Sequence, residues 1–282
     1  MQGKIVLITG ANRGIGRETA SALAKRGATV VMACRNIIKG NLVCEAIKQE
    51  SGNIQVEVME LDLTSSASIR KFANQFAHKY QQLDVLINNA GVFCMKREET
   101  QDGFEKTIYT NYLGPFLLTN LLLPLLKQTP KARIINVASN GYSQGRIDLS
   151  DLNLKKGYHG FKAYASSKLA VILFTQELAE RLSDTDIIVN ALHPGLVDTN
   201  IWNFWPGKWY QALLNRITKW SMASPEKGAQ TSIYLASSDE LKDITGKYFV
   251  KKEPQKVSPK CRDVQLQKNL WQLSEKLTGI AQ

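Results

Sequence analysis

The sequence predicts an α/β protein: a doubly wound parallel sheet in a single domain spanning residues 1–282. Three observations predict it. Apolar runs of strand length alternate with helical patterns from the first residues onward. These runs are apolar throughout, which marks strands buried on both faces of a parallel sheet. The 282 residues contain no Pro/Gly/Ser-rich linker and no repeat, and that length suits one large domain with a full core.

The elements follow in order. Lys4–Thr9 (KIVLIT) reads as the first strand and leads to a helix at Gly14–Arg26. Ala28–Cys34 leads to a helix around Ile37–Glu50, and Ile54–Leu61 to one at Ser65–Tyr80. Asp84–Asn88 and Arg133–Ala138 are the next strands, with a long helix between them near Asp102–Lys127. A helix at Phe161–Leu182 precedes strand Ile187–Leu192, and Lys247–Val250 is a last short strand. Residues 200–224 break the alternation and read as an insertion; 261–277 read as a C-terminal helical tail. In such a sheet the ligand crevice is expected at the carboxyl ends of the strands.

Composition narrows the classes. Hydrophobic residues at 44% and charged residues at 22% are ordinary for a soluble globular protein. The net charge of +11 is uneven: from Asn200 onward 13 Lys/Arg face 7 Asp/Glu, so +6 of it lies in the last 83 residues. A basic balance suits nucleic acid, an anionic membrane surface or a phosphorylated ligand. No nucleic-acid motif accompanies it, so no nucleic-acid partner is expected. Cys34, Cys44, Cys94 and Cys261 form no CxxC pair, which fits a reduced, cytoplasmic setting. His78, His159 and His193 do not cluster with them, so no metal site is expected. The first strand begins so early that no signal peptide is expected. The longest apolar run, Tyr112–Leu126, is too short to span a bilayer and is interrupted by Pro115, Asn120 and Pro124. Peripheral membrane contact and a homo-oligomer stay open.

Two motifs carry chemistry. The first strand runs into Thr9-Gly10-Ala11-Asn12-Arg13-Gly14-Ile15-Gly16 and then a helix. Glycines permit the tight turn and close backbone approach to a pyrophosphate, and the helix N-terminus offers free N–H groups and a positive dipole end. A Gly-rich string in this strand–turn–helix context is far more specific than the string alone. Further along, Tyr164-Ala165-Ser166-Ser167-Lys168 is a YxxxK on a predicted helix. The i, i+4 spacing puts Tyr164 and Lys168 on one face, about 5–6 Å apart. A tyrosine pKa of about 10 is too high for efficient proton transfer at neutral pH. A close ammonium is expected to lower it.

The TGxxxGxG spacing resembles the short-chain dehydrogenase/reductase family, which implies a Rossmann fold, and the other motifs are similar in order and spacing. Asp62, with Leu63 beside it, matches the position that contacts the adenine. Asn88-Asn89-Ala90-Gly91 is similar to the family's NNAG motif beside the adenine ribose. His193-Pro194-Gly195-Leu196-Val197-Asp198-Thr199 is similar to the PGxVxT segment at the nicotinamide end. The resemblance thus implies a cofactor-binding set of Gly10, Asn12, Arg13, Gly14, Ile15, Gly16, Arg35, Asp62, Leu63, Asn89, Ala90, Gly91, Tyr164, Lys168, Pro194, Gly195, Val197 and Thr199. The catalytic set it implies is Asn111, Ser139, Tyr164 and Lys168. Ser139 would hydrogen-bond the substrate oxygen, and Asn111 would complete a proton relay through a water near the lysine. Pro115 lies four residues after Asn111 and has no N–H, so the Asn111 carbonyl is expected to lose its helical partner and be free to hold that water.

Cofactor choice has its own signal. An NAD enzyme places an acid near the end of strand two, to accept from the ribose 2′-OH. Here strand two ends Ala33-Cys34-Arg35, with no acid. Arg35 and Arg13 can converge on a 2′-phosphate, so NADP(H) is expected.

Within the family the sequence resembles retinol dehydrogenases of the microsomal, NADPH-using type. The segments Ala33–Asn36, Phe116–Thr119, Tyr164–Ala170, Gly228–Ser232 and Gly246–Phe249 carry that likeness. It implies NADPH-dependent reduction of an apolar aldehyde or ketone, retinal being one candidate, to the alcohol, or the reverse. Light-dependent protochlorophyllide reductases are a more distant likeness. An NADPH-binding sensor or scaffold on a silent reductase fold is the alternative; an intact Asn111, Ser139, Tyr164 and Lys168 argues against it. The motif spacing and short chain argue against an epimerase or dehydratase. The 200–224 insertion holds Trp202, Trp205, Trp209 and Trp220 and is expected to form a substrate lid. Trp209, Leu213, Ile217 and Trp220 recur at helical spacing, with Lys208, Arg216 and Lys219 on the polar side. Such a face also suits a bilayer surface.

Overall fold

Val, Ile and Leu dominate the strand segments, and branched side chains favour extended backbone. The computed structural model describes residues 1–195, 197 and 223–280. Its strands are β1 (Ile5–Thr9), β2 (Thr29–Cys34), β3 (Val56–Glu60), β4 (Val85–Asn88), β5 (Arg133–Val137), β6 (Ile188–His193), β7 (Tyr248–Val250) and β8 (Glu253–Gln255). They form one sheet in the order β3-β2-β1-β4-β5-β6-β7-β8. The first seven are parallel, and β8 returns antiparallel along β7. The winding direction reverses between β1 and β4, which opens a crevice at their carboxyl ends.

Helices cover both faces. α1 (Gly14–Lys25), α2 (Ile37–Ser51) and α7 (Pro225–Ser237) lie on one side. There they bury Val6, Ile8, Val30 and Met32 of the sheet. α3 (Ser66–Lys79), α5 (Gly114–Gln128), α6 (Gly160–Arg181) and α8 (Val264–Thr278) lie on the other. They cover Leu7, Val31, Leu86 and Ile134. Alternate residues of β1, β2, β4 and β5 thus feed opposite cores, as their apolar runs require.

The structure departs from the sequence reading in three places. The helix expected near Asp102–Lys127 is broken into α4 (Lys106–Ile108), a π turn at Tyr109–Leu113 and α5. Gly114 donates its N–H to the Tyr109 carbonyl, five residues back. Pro115, next in line, has no N–H to give, and a single π turn absorbs the mismatch. β8 was not expected; it contains Pro254, which an edge strand tolerates. The C-terminal helix begins at Val264 rather than 261, because the Asp263 carboxylate caps it by accepting from the Leu266 N–H at 3.0 Å. A short 3₁₀ turn, Pro259–Arg262, precedes it.

α8 docks through Trp271, whose ring lies 4.9 Å from Phe116 and 5.9 Å from Phe174. The Arg181 guanidinium lies 4.3 Å from the centre of the same ring. Burying a side chain of that size contributes roughly 1.5–3 kcal/mol. Of the expected lid at 200–224, residues 200–222 lie outside the described residues. Its last two positions are described: Ala223 bridges to Val197, and Ser224 caps α7. No helix among the described residues is long and apolar enough to cross a membrane.

Candidate active site

The turn after β1 is shaped by backbone. Gly10 and Gly14 take φ of 66° and 53°, the left-handed region that favours glycine. α1 then opens directly beneath the turn. Its N-cap, Arg13, makes no side-chain cap bond, whereas Asn36 caps α2 and Ser65 caps α3. The N–H groups of the first turn of α1 therefore remain available to an anion. A Cβ on Gly16 would sit 2.6 Å from the Gly10 carbonyl oxygen and 2.5 Å from Asn89 Nδ2. Only glycine lets helix, turn and β4 meet this closely. An uncapped helix end under a glycine cradle fits a dinucleotide pyrophosphate.

A cleft of about 820 Å³ opens over this cradle. Every expected cofactor residue that is described lines it, from Gly10 to Val197; Thr199 lies outside the described residues. At one end, Arg13, Arg35 and Lys39 share the wall. None of the three has an ion-pair partner among the described residues. Lys39 was missed in the sequence; it is brought in because Asn36 starts α2 and turns the next residues towards the cleft. The Asp62 carboxylate accepts from Thr64 N–H at 2.9 Å and Thr64 Oγ1 at 2.7 Å, so it organises its own turn. Asn89 is a clip as well as a wall. Its Nδ2 donates to the Thr9 carbonyl at 2.8 Å, and the N–H groups of Asn89 and Ala90 both reach Thr9 Oγ1 at 3.0 Å. The clip fastens the end of β4 to the end of β1.

At the other end, α6 presents Tyr164 and Lys168. Lys168 Nζ lies 5.7 Å from the Tyr164 ring centre and donates to the Val137 carbonyl at 2.8 Å. Ser139 Oγ accepts from the Gly141 N–H at 3.2 Å and shares the cleft wall with Tyr164, whose ring lies 5.4 Å from the Phe93 ring. Ser139, Tyr164 and Lys168 line the cleft; Asn111 stands just behind it. Asn111 Oδ1 accepts from the Val92 N–H at 2.7 Å. Its Nδ2 donates to the Val92 carbonyl and to Ser167 Oγ, both at 2.9 Å. Its side chain is thus spent on holding the 91–92 loop. Gly91 shows how tightly these groups converge, since a Cβ there would be 3.4 Å from Asn111 Oδ1 and 3.6 Å from Lys168 Nζ.

The electrostatics differ from expectation. Burial raises the Tyr164 phenol above its ordinary value, and the bond to Ser139 only partly draws it back. The anticipated lowering by Lys168 is not met, because Lys168 is itself buried, falls to about 8 and aims its ammonium at Val137. His193, at the end of β6, was read only as the first residue of the segment at the nicotinamide end, with no site role, yet it lines the cleft. Burial, then the Lys168 charge, lowers it to about 4, so it is neutral at physiological pH. Asn88, the first residue of the NNAG-like motif, was given no role of its own. It is buried and donates to Thr119 Oγ1 at 3.0 Å and Asn136 Oδ1 at 2.8 Å, a polar ladder under the site. No group of His, Cys, Asp and Glu among the described residues could hold a metal ion.

A dinucleotide cradle and a hydroxyl–lysine cluster at one edge of a doubly wound sheet define the class of dinucleotide-binding oxidoreductases. Residues 4–207 match the short chain dehydrogenase family, and the chain belongs to it. The family uses a nicotinamide cofactor. Among curated relatives, mouse retinol dehydrogenase 14 is 43% identical over 291 residues, covering 99% of this chain and 87% of the relative. Bovine retinol dehydrogenase 12 is 43% identical over 278 residues, covering 99% and 87%. Human retinol dehydrogenase 13 is 42% identical over 282 residues, covering 99% and 85%. Among solved structures, an uncharacterised protein from Mycobacterium paratuberculosis superposes with a TM-score of 0.81 at 37% identity, covering 99% of this chain and 94% of that one. A short chain dehydrogenase from Escherichia coli CFT073, solved with NADPH, gives 0.71 at 26% identity, covering 90% and 98%. The expected fold class and the likeness to retinol dehydrogenases are both borne out.

Proposed function

We propose that this oxidoreductase uses NADP(H) and reduces an apolar aldehyde or ketone, retinal-like in character, to the alcohol, or runs the reverse. The observation that carries the reading is that Ser139 and Tyr164 share one cleft wall, with Lys168 one turn along the same helix as Tyr164. When bound, the nicotinamide supplies or takes the hydride. Ser139 and Tyr164 hold the carbonyl oxygen, a small oxyanion hole. Tyr164 delivers the proton as negative charge develops there. Lys168 holds the ribose hydroxyls and supports Tyr164. The Asn111 backbone carbonyl, denied a helical N–H by Pro115, holds the water that refills the proton. At the far end Arg13, Arg35 and Lys39 hold the 2′-phosphate, with no acid after β2 to favour a ribose hydroxyl.

The solved NADPH complex of a relative supports the cofactor choice, and relatives named retinol dehydrogenases support the apolar substrate. A homologous series of linear aldehydes, assayed with NADPH and ending with retinal, tests both. Each buried methylene contributes about 0.8 kcal/mol, so kcat/KM should rise roughly fourfold per added carbon until the pocket fills. A flat response, or a preference for small polar carbonyls, would refute the apolar pocket.

A further inference from the structure

Ser139 opens a 3₁₀ turn, Asn140–Gln144, and that turn is tied to β6, to β7 and to the chain that follows β7. Tyr248 of β7 donates its hydroxyl to Asn140 Oδ1 at 2.7 Å. The Asn140 N–H makes a long bond, 3.4 Å, to His193 Nδ1. The Ser258 N–H donates to the Tyr142 hydroxyl at 3.2 Å, and the Tyr142 ring meets Tyr248 edge-on at 5.3 Å. Lys260 Nζ donates to the carbonyls of Ser143 at 2.6 Å and Gly145 at 2.7 Å, closing the open end of the turn. Tyr248, Ser258 and Lys260 do not line the cleft, and all three lie beyond the 4–207 match to the family.

Short 3₁₀ turns have poor internal hydrogen-bond geometry, so this one takes its place from what it is tied to. The position of Ser139 matters more than most. Its Oγ must stay within reach of Tyr164, and a displacement of about 1 Å at such a site costs on the order of a hundredfold in rate. We propose that residues 248–260 form a brace for the turn that carries Ser139, with Tyr248 and Lys260 as its positioning residues. The inference rests on the role given to Ser139 under Proposed function. It assigns a task in the chemistry to a segment whose positioning residues do not line the cleft.

Tyr248→Phe keeps the ring and removes the donor; Asn140→Ala removes the acceptor; Lys260→Met removes the second tie. Each is assayed for kcat and KM with an aldehyde substrate, for NADPH Kd, and for Tm. Tyr248→Phe and Asn140→Ala should each lower kcat about tenfold, and Lys260→Met about threefold, with KM and Kd within about twofold. The double variant Tyr248→Phe/Asn140→Ala should lose no more than either single one, since both cut one bond. Asn140→Asp, which still accepts from Tyr248, should keep the wild-type rate. Additive losses, an unchanged kcat, or a fall in Tm with kcat intact would overturn the brace. Should Tyr248→Phe not fold, Asn140→Ala and Lys260→Met decide by the same criteria. Ser139→Ala separates the two readings: a wild-type rate there refutes the role of Ser139 itself, whereas a slow Ser139→Ala beside a normal Tyr248→Phe refutes the brace alone.

Discussion

The two ends of the cleft are made in different ways. The cofactor end is a local construction. Gly10, Gly14 and Gly16 are near neighbours in sequence, and their work is done by backbone conformation and by the absence of Cβ atoms. The other end is assembled from distant pieces: Asn111 from a π turn, Ser139 from the end of β5, Tyr164 and Lys168 from α6, His193 from β6. The difference teaches where each end is vulnerable. The first should fail through changes in cofactor affinity, the second through changes in turnover with affinity kept.

Tyr164→Phe tests that contrast most severely. It keeps the ring against Phe93 and removes the proton donor. Turnover should fall by about 10²–10⁴ while NADPH Kd, read by quenching of protein fluorescence, moves less than about twofold. A near wild-type rate would break the assignment of this end.

Lys168 sharpens the contrast through pH. Its folded pKa of about 8 lies below the ordinary 10.5, so the unfolded chain binds the extra proton between these values. The burial penalty is in full force below pH 8 and is relieved as pH rises towards 10.5. Relative to Lys168→Met, wild-type stability from urea unfolding should therefore rise across that window, by a total on the order of 3 kcal/mol. A constant difference between the two proteins would show that Lys168 is not held in an environment hostile to its charge.

At the cofactor end the expected effect is smaller. Arg35→Ala should cut the NADPH-over-NADH preference by about tenfold to a hundredfold, with kcat for bound NADPH unchanged. Comparable Kd values for the two cofactors in the wild type would refute the 2′-phosphate site. A loss of kcat instead of affinity would blur the division between the two ends.

Legibility followed the same division. The strands, their alternation with helices and the glycine turn could be read because each depends on residues adjacent in sequence. Pro115 signalled a disturbance near Asn111, though not that it would resolve as a π turn, which depends on where the Gly114 N–H finds its acceptor. The pKa expectation for Tyr164 failed because spacing along a helix fixes distance to Lys168 but says nothing of burial. Lys39 carried no motif, His193 stood in one without a role of its own, and Asn89 looked like a ligand contact although much of its hydrogen bonding goes to Thr9.

By itself the sequence determined the fold class, the glycine cradle and the facing of Tyr164 and Lys168, since apolar periodicity, glycine placement and i, i+4 spacing are local properties of a chain; Asn111, Ser139 and most of the cofactor wall were implied by the family resemblance. Only the tertiary structure decided how those residues are charged, which polar groups fasten them, and that a segment from β7 onward reaches back to the turn bearing Ser139. Desolvation and long-range hydrogen bonds depend on which surfaces pack together, and partners such as Tyr248 and Asn140, 108 residues apart, leave no pattern in a single sequence.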